Sequence, residues 1–333
     1  MNKSNLKIII SQAIQQRIAV EESTNSFRLF NGFYEGFPGL VLDRYDHTLV
    51  ILNHNTPLLS LDESTTICDI VCDLIPQIKT VLLKQRQHPD DSFRRGSFLR
   101  GQHPSLSVIE GEARYAIDLL MNQDASFYLD TRNLRQWLRE NMEGLRVLNT
   151  FAYTGSLGIA AGIGGAKEVI QTDLNPKFLK VASSSWQLNR LSDERHTVIA
   201  GDFFRVAGRL RNQKRLFDCV IIDPPYFSQT NAGRVDLQHE TTRLINKIRP
   251  LVAHEGYLVV INNALYLSGE EFTSELIGLC KSDYLEYHKT IPIPMDITGY
   301  PATIVDSPPV DPSPFNHPTK IAILKIYRKD GQK

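Results

Sequence analysis

From Thr131 onward, helical and strand patterns alternate with a regularity that few folds can accommodate. Five apolar segments have the length and residue types of buried strands, at 145–149, 167–172, 196–200, 217–222 and 256–261. Helical patterns lie between them, as at 175–188 and 240–252. Strands that are apolar on both faces and joined through helices belong to parallel sheets covered on both sides. The sequence therefore predicts an α/β domain with a doubly wound, Rossmann-like sheet.

The first part of the chain has a different pattern. A helix is predicted at 3–20 and another at 65–75, with short strands at 27–30, 40–42, 49–52 and 80–83. Turn pairs such as Asn31-Gly32 and Pro38-Gly39 separate the strands. We predict a small α+β accessory domain over 1–105 and a larger domain over 106–333. The basic stretch at 86–104 is equally well explained as a solvated loop or as an RNA contact.

Composition excludes several classes of protein. The 333 residues include 37 Lys and Arg and 37 Asp and Glu, so any nucleic-acid surface has to be a local patch. Four cysteines without a Cys-x-x-Cys pair indicate the reducing cytoplasm rather than a disulfide-stabilised or zinc-binding protein. No segment approaches the roughly 18 apolar residues of a membrane span. We expect a cytoplasmic protein with no membrane partner and no metal, and the sequence leaves a homodimer open.

A ligand-binding turn follows the first strand of the larger domain. The segment Thr150-Phe-Ala-Tyr-Thr-Gly-Ser-Leu-Gly158 joins that strand to a helix rich in Ala and Gly. Small residues there let a ligand approach the backbone and the free N–H groups of the helix start. The spacing Gly155-x-x-Gly158 does not match the Gly-x-Gly-x-x-Gly of dinucleotide-binding folds. A pyrophosphate site is therefore not predicted.

Acidic residues end the next two strands. Asp173 is suited to accept both hydroxyls of a ribose, and Asp202 to accept an adenine amino group with Phe203 beside the ring. Each acid alone is better explained as a helix N-cap or a solvated turn. Their occurrence at successive strand ends, where open α/β sheets bind ligands, favours a nucleoside cofactor.

The fourth strand leads into Asp223-Pro-Pro-Tyr226. Two prolines make a stiff turn in which a planar base can lie on Tyr226 and be aimed by Asp223 and the Pro224 carbonyl. Stacking of an unpaired base on an aromatic ring contributes roughly 1–3 kcal/mol. A plain structural turn after a core strand is the alternative, and the order of the preceding motifs argues against it.

These motifs resemble the class I S-adenosylmethionine-dependent methyltransferases, and more closely the bacterial 23S rRNA large-subunit methyltransferase family. The resemblance covers most of residues 26–327 and rests on Gly36–Tyr45, Phe127–Arg132, Asn149–Gly155, Asp173, Asp202 and Asp223–Ser228. It implies a seven-stranded sheet in the order 3-2-1-4-5-7-6 with the last strand antiparallel. It also implies S-adenosylmethionine as cofactor and RNA as substrate.

The motifs and the resemblance together assign two sets of residues. The cofactor-binding set is Phe127, Asp130, Arg132, Asn149, Phe151, Tyr153, Thr154, Gly155, Ser156, Asp173, Leu174, Asp202, Phe203 and Asp223. In the family, Asp130 and Arg132 match positions at the amino-acid end of the cofactor. The acceptor set is Asp223, Pro224, Tyr226, Asn262 and Asn263.

Two differences from the family bear on which atom is methylated and on how RNA is bound. Only about 25 residues precede the region of resemblance, which begins at residue 26, so we expect the family's PUA domain to be absent. Members that methylate C5 of cytosine have a cysteine after the fifth strand, where this chain has Asn262 and Asn263. C5 needs a thiolate for covalent activation, whereas guanine N7 has its own lone pair. Cys219 lies mid-strand and is predicted to be a core residue.

The sequence therefore predicts methylation of a base nitrogen in rRNA, closer to the guanine-N7 branch of the family. Two alternatives remain open. A protein or small-molecule amine is a possible acceptor, because the chain has no net charge. The chain is also compatible with an inactive RNA-binding assembly factor, although the intact series from Asp130 to Tyr226 argues against that interpretation.

Overall fold

The structure is a computed structural model that describes residues 3–333. Contacts within the chain divide it into two compact units. The first unit contains Met1–Leu129 and Pro294–Pro308, and the second contains Asp130–Ile293 and Pro309–Lys333. The chain therefore passes between the units three times, and the Pro-rich segment before the last strand is shared between them.

The first unit is a five-stranded sheet, and its first two helices share a buried hydrophobic cluster with the strands. Its helices are α1 (Lys3–Arg17), α2 (Leu61–Leu74) and α3 (Asp91–Arg95). Its strands are β1 (Ser26–Asn31), β2 (Leu40–Tyr45), β3 (Thr48–Asn53), β4 (Thr80–Gln85) and β5 (Ser97–Arg100), in that order across the sheet, followed by the hairpin β6 (Ser107–Glu110) and β7 (Ala113–Ala116). Helix α2 begins with a capping box between Ser60 and Glu63 and connects the parallel pair β3 and β4.

Residues 294–308 complete the first unit. A short helix at Met295–Thr298 contacts β1, where the buried Asp296 accepts the backbone N–H of Arg28 at 3.1 Å. Arg17 is fully buried and is paired with Glu35 at 2.9 Å while also donating to the Asp296 carbonyl. These buried charges have several partners each, which offsets the cost of removing them from water.

The division between the units falls later than the predicted boundary at residue 105. The hairpin β6–β7 belongs to the first unit because Thr24 pairs with Glu110 and the Thr24 hydroxyl donates to the Ile109 carbonyl at 2.9 Å. The segment after it is held by Lys84, whose ammonium donates to the Asn122 carbonyl at 2.8 Å. Burial lowers the pKa of Lys84 to about 8. The sequence pattern changes at 131, but these polar contacts bind 107–129 to the earlier strands.

The second unit is a seven-stranded sheet covered by helices. Its strands are β8 (Arg146–Thr150), β9 (Glu168–Asp173), β10 (His196–Ala200), β11 (Phe217–Ile222), β14 (Val252–Asn262), β15 (Leu285–Ile291) and β16 (Lys320–Ile326), and a separate hairpin contains β12 (Phe227–Thr230) and β13 (Gly233–Asp236). Its helices are α4 (Arg132–Asn141), α5 (Ser156–Ile163), α6 (Pro176–Leu188), α7 (Phe203–Asn212), α8 (Thr241–Ile248) and α9 (Gly269–Cys280).

Strand order confirms the predicted fold. The sheet runs β10-β9-β8-β11-β14-β16-β15, which is 3-2-1-4-5-7-6 when its strands are counted along the chain. The first five strands are parallel, and β16 is antiparallel to both of its neighbours. Helices α7, α8 and α9 pack on the sheet through a buried cluster that includes Leu210, Ile245 and Phe272.

Two regions differ from the sequence expectation. The helix predicted at 240–252 ends at Ile248, and the chain turns at Pro250 into the long strand β14. The hairpin β12–β13 and the edge strand β15 are not predicted, because these short polar segments lack a run of apolar residues. Within residues 3–333, no helix combines the length and the apolar character that crossing a membrane requires.

Candidate functional site

The carboxyl ends of five parallel strands meet at one edge of the second unit. These ends are Thr150, Asp173, Ala200, Ile222 and Asn262. Nearly every residue predicted for the site lies at this edge or within a few positions after it. Open α/β sheets bind their ligands here, because the loops after neighbouring strands diverge and leave a crevice.

The turn after β8 has an unusual backbone. Phe151, Tyr153 and Gly155 have positive φ angles of 53°, 52° and 83°. A Cβ atom on Gly155 would lie 2.4 Å from the Cβ of Ala182 and 2.8 Å from the Gln171 side chain, so no other residue fits. Thr154 is buried, and Ser156 is the first residue of α5 and half-buried. The turn is therefore narrow, requires glycine at position 155 and leads directly into α5.

A buried polar network supports this turn from below. The Asn149 amide donates to Gln171 Oε1 at 3.1 Å, and Gln171 Nε2 lies 3.0 Å from His196 Nε2. Burial lowers the pKa of His196 to about 4, so the neutral ring accepts from Gln171 and stacks on Trp186 at 4.3 Å. Gln171, His196 and Trp186 are not predicted from sequence, because nothing marks a polar residue inside an apolar strand as part of a network.

Asn149 also has an unused acceptor. Its side chain is 1% exposed, and Oδ1 has no hydrogen-bond partner among the residues that the structure describes. Buried polar atoms are nearly always satisfied, and leaving one unpaired costs about 1–3 kcal/mol. Such an atom at the end of β8 is a ready acceptor for a donor on a bound molecule.

Asp173 lies at the end of β9 and contacts the turn. Its Oδ2 accepts the backbone N–H of Tyr153 at 2.8 Å, and its Oδ1 accepts that of Asn175 at 2.9 Å. Burial raises the pKa of the carboxyl despite these bonds. Each oxygen keeps a second lone pair, so two hydroxyl groups of a ligand can be accepted. The next residue, Leu174, has 64% of its surface exposed and offers an apolar surface beside the carboxylate.

Asp202 and Phe203 begin α7. Asp202 Oδ1 caps the helix by accepting the N–H groups of Phe204 and Arg205, and Oδ2 accepts the Thr230 hydroxyl at 2.6 Å. Asp202 is therefore the N-cap of α7, which is the structural alternative that the sequence allowed for this residue. Phe203 is buried and stacks on Phe151 with ring centroids 4.6 Å apart. Two residues predicted to contact the cofactor therefore form one aromatic wall between β8 and β10.

Two carboxylates lie close together at the centre of the edge. Asp223 follows β11 and is partly exposed, yet it is densely surrounded by protein atoms. Burial raises its pKa to about 7, and the negative charge of Asp130 adds to the shift. Asp130 accepts the Thr319 hydroxyl at 3.2 Å and lies two residues before the half-buried Arg132, the first residue of α4. This pair of like charges favours a cation between the two carboxylates.

The Asp223 carboxyl makes a testable contribution to stability. An acid whose pKa is about 7 in the folded protein and 3.8 in an unfolded chain binds extra protons on folding between those pH values. Its contribution to stability therefore falls as the pH rises from about 4 to 7 and is constant above that range. We expect Asp223→Asn to raise the free energy of unfolding by about 1–2 kcal/mol at pH 8, after allowance for solvent screening.

At pH 4 the same substitution is expected to give only a small gain, because Asp223 is then protonated in the folded protein and only about half ionised in the unfolded chain. Urea denaturation of the two proteins at both pH values measures the difference. A gain of the same size at pH 4 and pH 8 would contradict a charge effect.

The segment after Asp223 exposes an aromatic surface. Pro224 is buried, while Tyr226 is 48% exposed and its hydroxyl donates to Gln238 Oε1 at 2.7 Å. Phe227, the next residue, is 54% exposed and begins the hairpin. The turn thus places a carboxyl group and a restrained aromatic ring next to each other, as expected for a planar acceptor.

The two asparagines after β14 have separate roles. Asn262 is fully buried, donates to the Leu237 carbonyl at 3.0 Å and accepts the N–H of Ala264 at 2.9 Å. It positions the chain around the hairpin and does not face the edge. Asn263 is exposed and has a free amide within the part of the chain that the structure describes. Tyr266 follows, 63% exposed, and was not predicted because a single aromatic residue in a loop carries no signal.

Phe127 belongs to the first unit, and two of the cysteines, Cys219 and Cys280, belong to the second. Phe127 is buried in the first unit and packs on Tyr115 with ring centroids 5.0 Å apart. Cys219 is fully buried in β11, and burial raises its pKa well above the usual value of a thiol. Burial also raises the pKa of Cys280, at the end of α9. Neither cysteine of the second unit is a thiolate near neutral pH.

The sequence matches a family model and several known proteins. The family model of S-adenosylmethionine-dependent methyltransferases matches residues 61–283. The chain is 27% identical to ribosomal RNA large subunit methyltransferase I of Shewanella frigidimarina, covering 75% of this chain and 63% of that protein. It is 29% identical to ribosomal RNA large subunit methyltransferase K/L of Aeromonas hydrophila, covering 83% of this chain and 38% of that one. The chain thus spans less than two thirds of either relative.

A solved structure supports the fold. The protein SMU.776, crystallised as a complex with SAH, superposes with a TM-score of 0.84 at 21% sequence identity. The match covers 98% of this chain and 82% of that chain. At this level of identity the likeness extends to the fold of both units and does not by itself transfer a reaction.

Proposed function

The chain belongs to the family of S-adenosylmethionine-dependent methyltransferases, and we propose that it methylates a base nitrogen in ribosomal RNA. The observation that carries the proposal is the Asp223–Tyr226 turn, in which a carboxyl of raised pKa is followed three residues later by an exposed, hydrogen-bonded aromatic ring. Relatives named as large-subunit rRNA methyltransferases support RNA as the substrate. An rRNA substrate is consistent with a cytoplasmic protein.

The residues present fit S-adenosylmethionine. Gly155 packs against Gln171 and Ala182 with no room for a side chain, which keeps the turn at the start of α5 narrow and free of side-chain bulk. Asp173 has unused lone pairs for a ribose, and Leu174 and Phe151 offer apolar surfaces for an adenine ring. Asp130 and Asp223 favour a positively charged group. We assign the cofactor-binding residues of the second unit on these grounds.

When bound, the cofactor supplies a methyl group on a positively charged sulfur. Asp223 and the Pro224 carbonyl accept hydrogen bonds from an acceptor base, and Tyr226 stacks on its face. This fixes the ring nitrogen in line with the methyl group, and positioning of that kind accounts for a large part of a transfer reaction's acceleration. The acceptor's own lone pair would form the new bond to the methyl carbon as the methyl–sulfur bond breaks and its electron pair returns to sulfur, so no strong base is required.

A nitrogen acceptor is favoured over carbon because of the cysteines. Carbon C5 of a pyrimidine has to be activated by a thiolate. Cys219 lies inside β11 with a raised pKa, and Asn263 occupies the exposed position after β14. Among the residues described, the second unit therefore has no cysteine suited to covalent catalysis.

Asp173 provides a test of the cofactor assignment. Removing the charge from two hydrogen bonds to a ribose is expected to cost about 1.5–3 kcal/mol, since bonds to charged groups have that strength. We expect Asp173→Asn to weaken S-adenosylmethionine binding about 10- to 150-fold by calorimetry. Asp193→Asn, in a surface turn of the same unit, is the control and should bind like wild type. Equal affinity in both variants would remove Asp173 from the site.

Labelled cofactor and rRNA from a strain lacking the gene test the function directly. We expect one nucleoside to gain a methyl group, and mass mapping then gives the nucleotide and the atom. Transfer to protein or to a small amine, with none to RNA, would favour the alternative acceptor. Cofactor binding without transfer to any RNA would favour a binding module.

A further inference from the structure

Positive charge is concentrated around the acceptor turn. The whole chain is neutral, yet residues 203–249 contain nine Lys and Arg against four Asp and Glu. Six of the nine lie on α7, the hairpin β12–β13 and α8, and all of these except Arg211, in the last turn of α7, form one group. We call this group the basic face: Arg205, Arg209, Arg234, Arg243 and Lys247.

Helix geometry places these charges on one side of each helix. Arg205 and Arg209 are four residues apart in α7, and Arg243 and Lys247 are four apart in α8, so each pair shares a face one turn in length. The opposite faces carry the buried residues Val206 and Leu210 in α7 and Leu244 and Ile248 in α8. The charged sides therefore point away from the core.

Phe204 joins the three elements. Its ring packs against Gly233 in the hairpin, where an added Cβ would lie 2.4 Å from the ring, and the Arg243 guanidinium lies 5.8 Å from the ring centroid. The Thr230 hydroxyl also bonds Asp202 at the start of α7. The hairpin is thus held against the first turns of the helices, and the basic face has a defined arrangement.

Several charges of the basic face are not neutralised. Arg205, Arg209 and Lys247 form no ion pair with any residue that the structure describes, whereas Arg234 is paired with Asp236 and Arg243 with Glu240. Arg234 also lies over the ring of Phe227, 5.5 Å from its centroid. Arg234 therefore connects the basic face to the exposed rings of Tyr226 and Phe227.

We propose that the basic face binds the phosphate backbone of a single-stranded RNA segment that leads away from the acceptor turn. This inference rests on the proposed function. Proteins that bind single-stranded nucleic acid combine exposed aromatic rings, on which bases stack, with a positively charged surface that pairs with phosphates. The planar guanidinium also matches phosphate oxygens in two-point contacts. An unfolded or looped rRNA segment fits this surface.

The test combines three substitutions that remove charge without breaking an ion pair, Arg205→Gln, Arg209→Gln and Lys247→Gln. The matched control is Lys214→Gln, Lys281→Gln and Lys289→Gln, which removes three charges elsewhere on the second unit that form no ion pair within residues 3–333. Both are compared with wild type for binding and methylation of an rRNA transcript between 0.05 and about 0.3 M salt. Cofactor binding and thermal unfolding verify that each protein is folded.

We expect the first triple variant to bind RNA about tenfold or more weakly at 0.1 M salt, with a higher KM for RNA and a retained kcat. The slope of log affinity against log salt should fall by about 2, since each lost contact with single-stranded RNA contributes about 0.7. If the first triple variant bound RNA like the control, the proposed role of the basic face would be wrong. The proposal that the protein methylates RNA would still stand. Failure of wild type itself to methylate RNA would instead reject the proposed function.

Discussion

Asp223→Asn is expected to lower the rate of methyl transfer to RNA by about 10²- to 10³-fold, the usual effect of removing one preorganised polar group from a reacting centre. The asparagine has nearly the same shape, but its amide nitrogen donates where the carboxylate accepted. An acceptor base that donates its amino hydrogen to Asp223 is then repelled from the aligned position. Single-turnover rates at saturating cofactor measure this step.

Cofactor affinity should change by less than about tenfold in this variant, because the contacts at Asp173 and the turn after β8 remain. Asp218→Asn is the matched control, since Asp218 lies at the other end of the same strand and is bonded to Arg146 at 2.8 Å. That control should lose about 1 kcal/mol of stability and no more than twofold in rate. Equal rates for Asp223→Asn and wild type would remove Asp223 from the mechanism.

The same substitution is expected to stabilise the protein at pH 8. The raised pKa of Asp223 means that the folded structure disfavours the charged form of its carboxyl group. Stability gained together with activity lost is typical of residues retained for function. The combination separates a functional role for Asp223 from a structural one more clearly than either measurement alone.

Sequence patterns predict the second unit well because its strands are long and apolar. The segments at 196–200 and 217–222 have the predicted bounds, and the order of seven strands follows the expected topology. The hairpin β12–β13 was missed since its strands contain Gln229, Thr230 and Arg234, which alternate neither by polarity nor by size. Its position depends on tertiary contacts with Phe204 and Asp202, and such contacts leave no local signal.

Prediction from sequence identifies a constrained backbone more readily than the direction of a side chain. Gly155 and the Asp223-Pro-Pro turn have residue types that only a few conformations permit. It is weaker for side chains whose direction depends on packing. Asn262 and Asn263 are adjacent and chemically identical, yet one is fully buried and the other is exposed. Asn262 is the last residue of β14 and is covered by the segment around Leu237, whereas Asn263 follows the strand. Neither feature can be derived from the residue types alone.

The second large effect is expected from Gly155→Ala. The position has φ of 83°, and the added Cβ would lie 2.4 Å from Ala182 and 2.8 Å from Gln171. A left-handed backbone costs a residue with a side chain about 1–2 kcal/mol, and overpacking a well-filled site costs about 1–3 kcal/mol more. We therefore expect the free energy of unfolding to fall by about 2–5 kcal/mol.

Cofactor binding should weaken as well, because the neighbours of Gly155 cannot move freely. Gln171 is held by Asn149 and His196, and Ala182 belongs to the buried side of α6. The turn itself has to shift, and a cost of about 2–3 kcal/mol at the ligand corresponds to about 30- to 150-fold weaker binding. Calorimetric titration with S-adenosylmethionine measures the loss.

Gly208→Ala is the control for this substitution. Gly208 lies within α7, and an added Cβ has no atom within 4 Å, so alanine should stabilise the helix by about 0.5–1 kcal/mol. The two substitutions add the same methyl group and are expected to act in opposite directions on stability, with cofactor affinity reduced only at Gly155. If Gly155→Ala bound the cofactor as tightly as Gly208→Ala, close approach of the ligand to this turn would be ruled out.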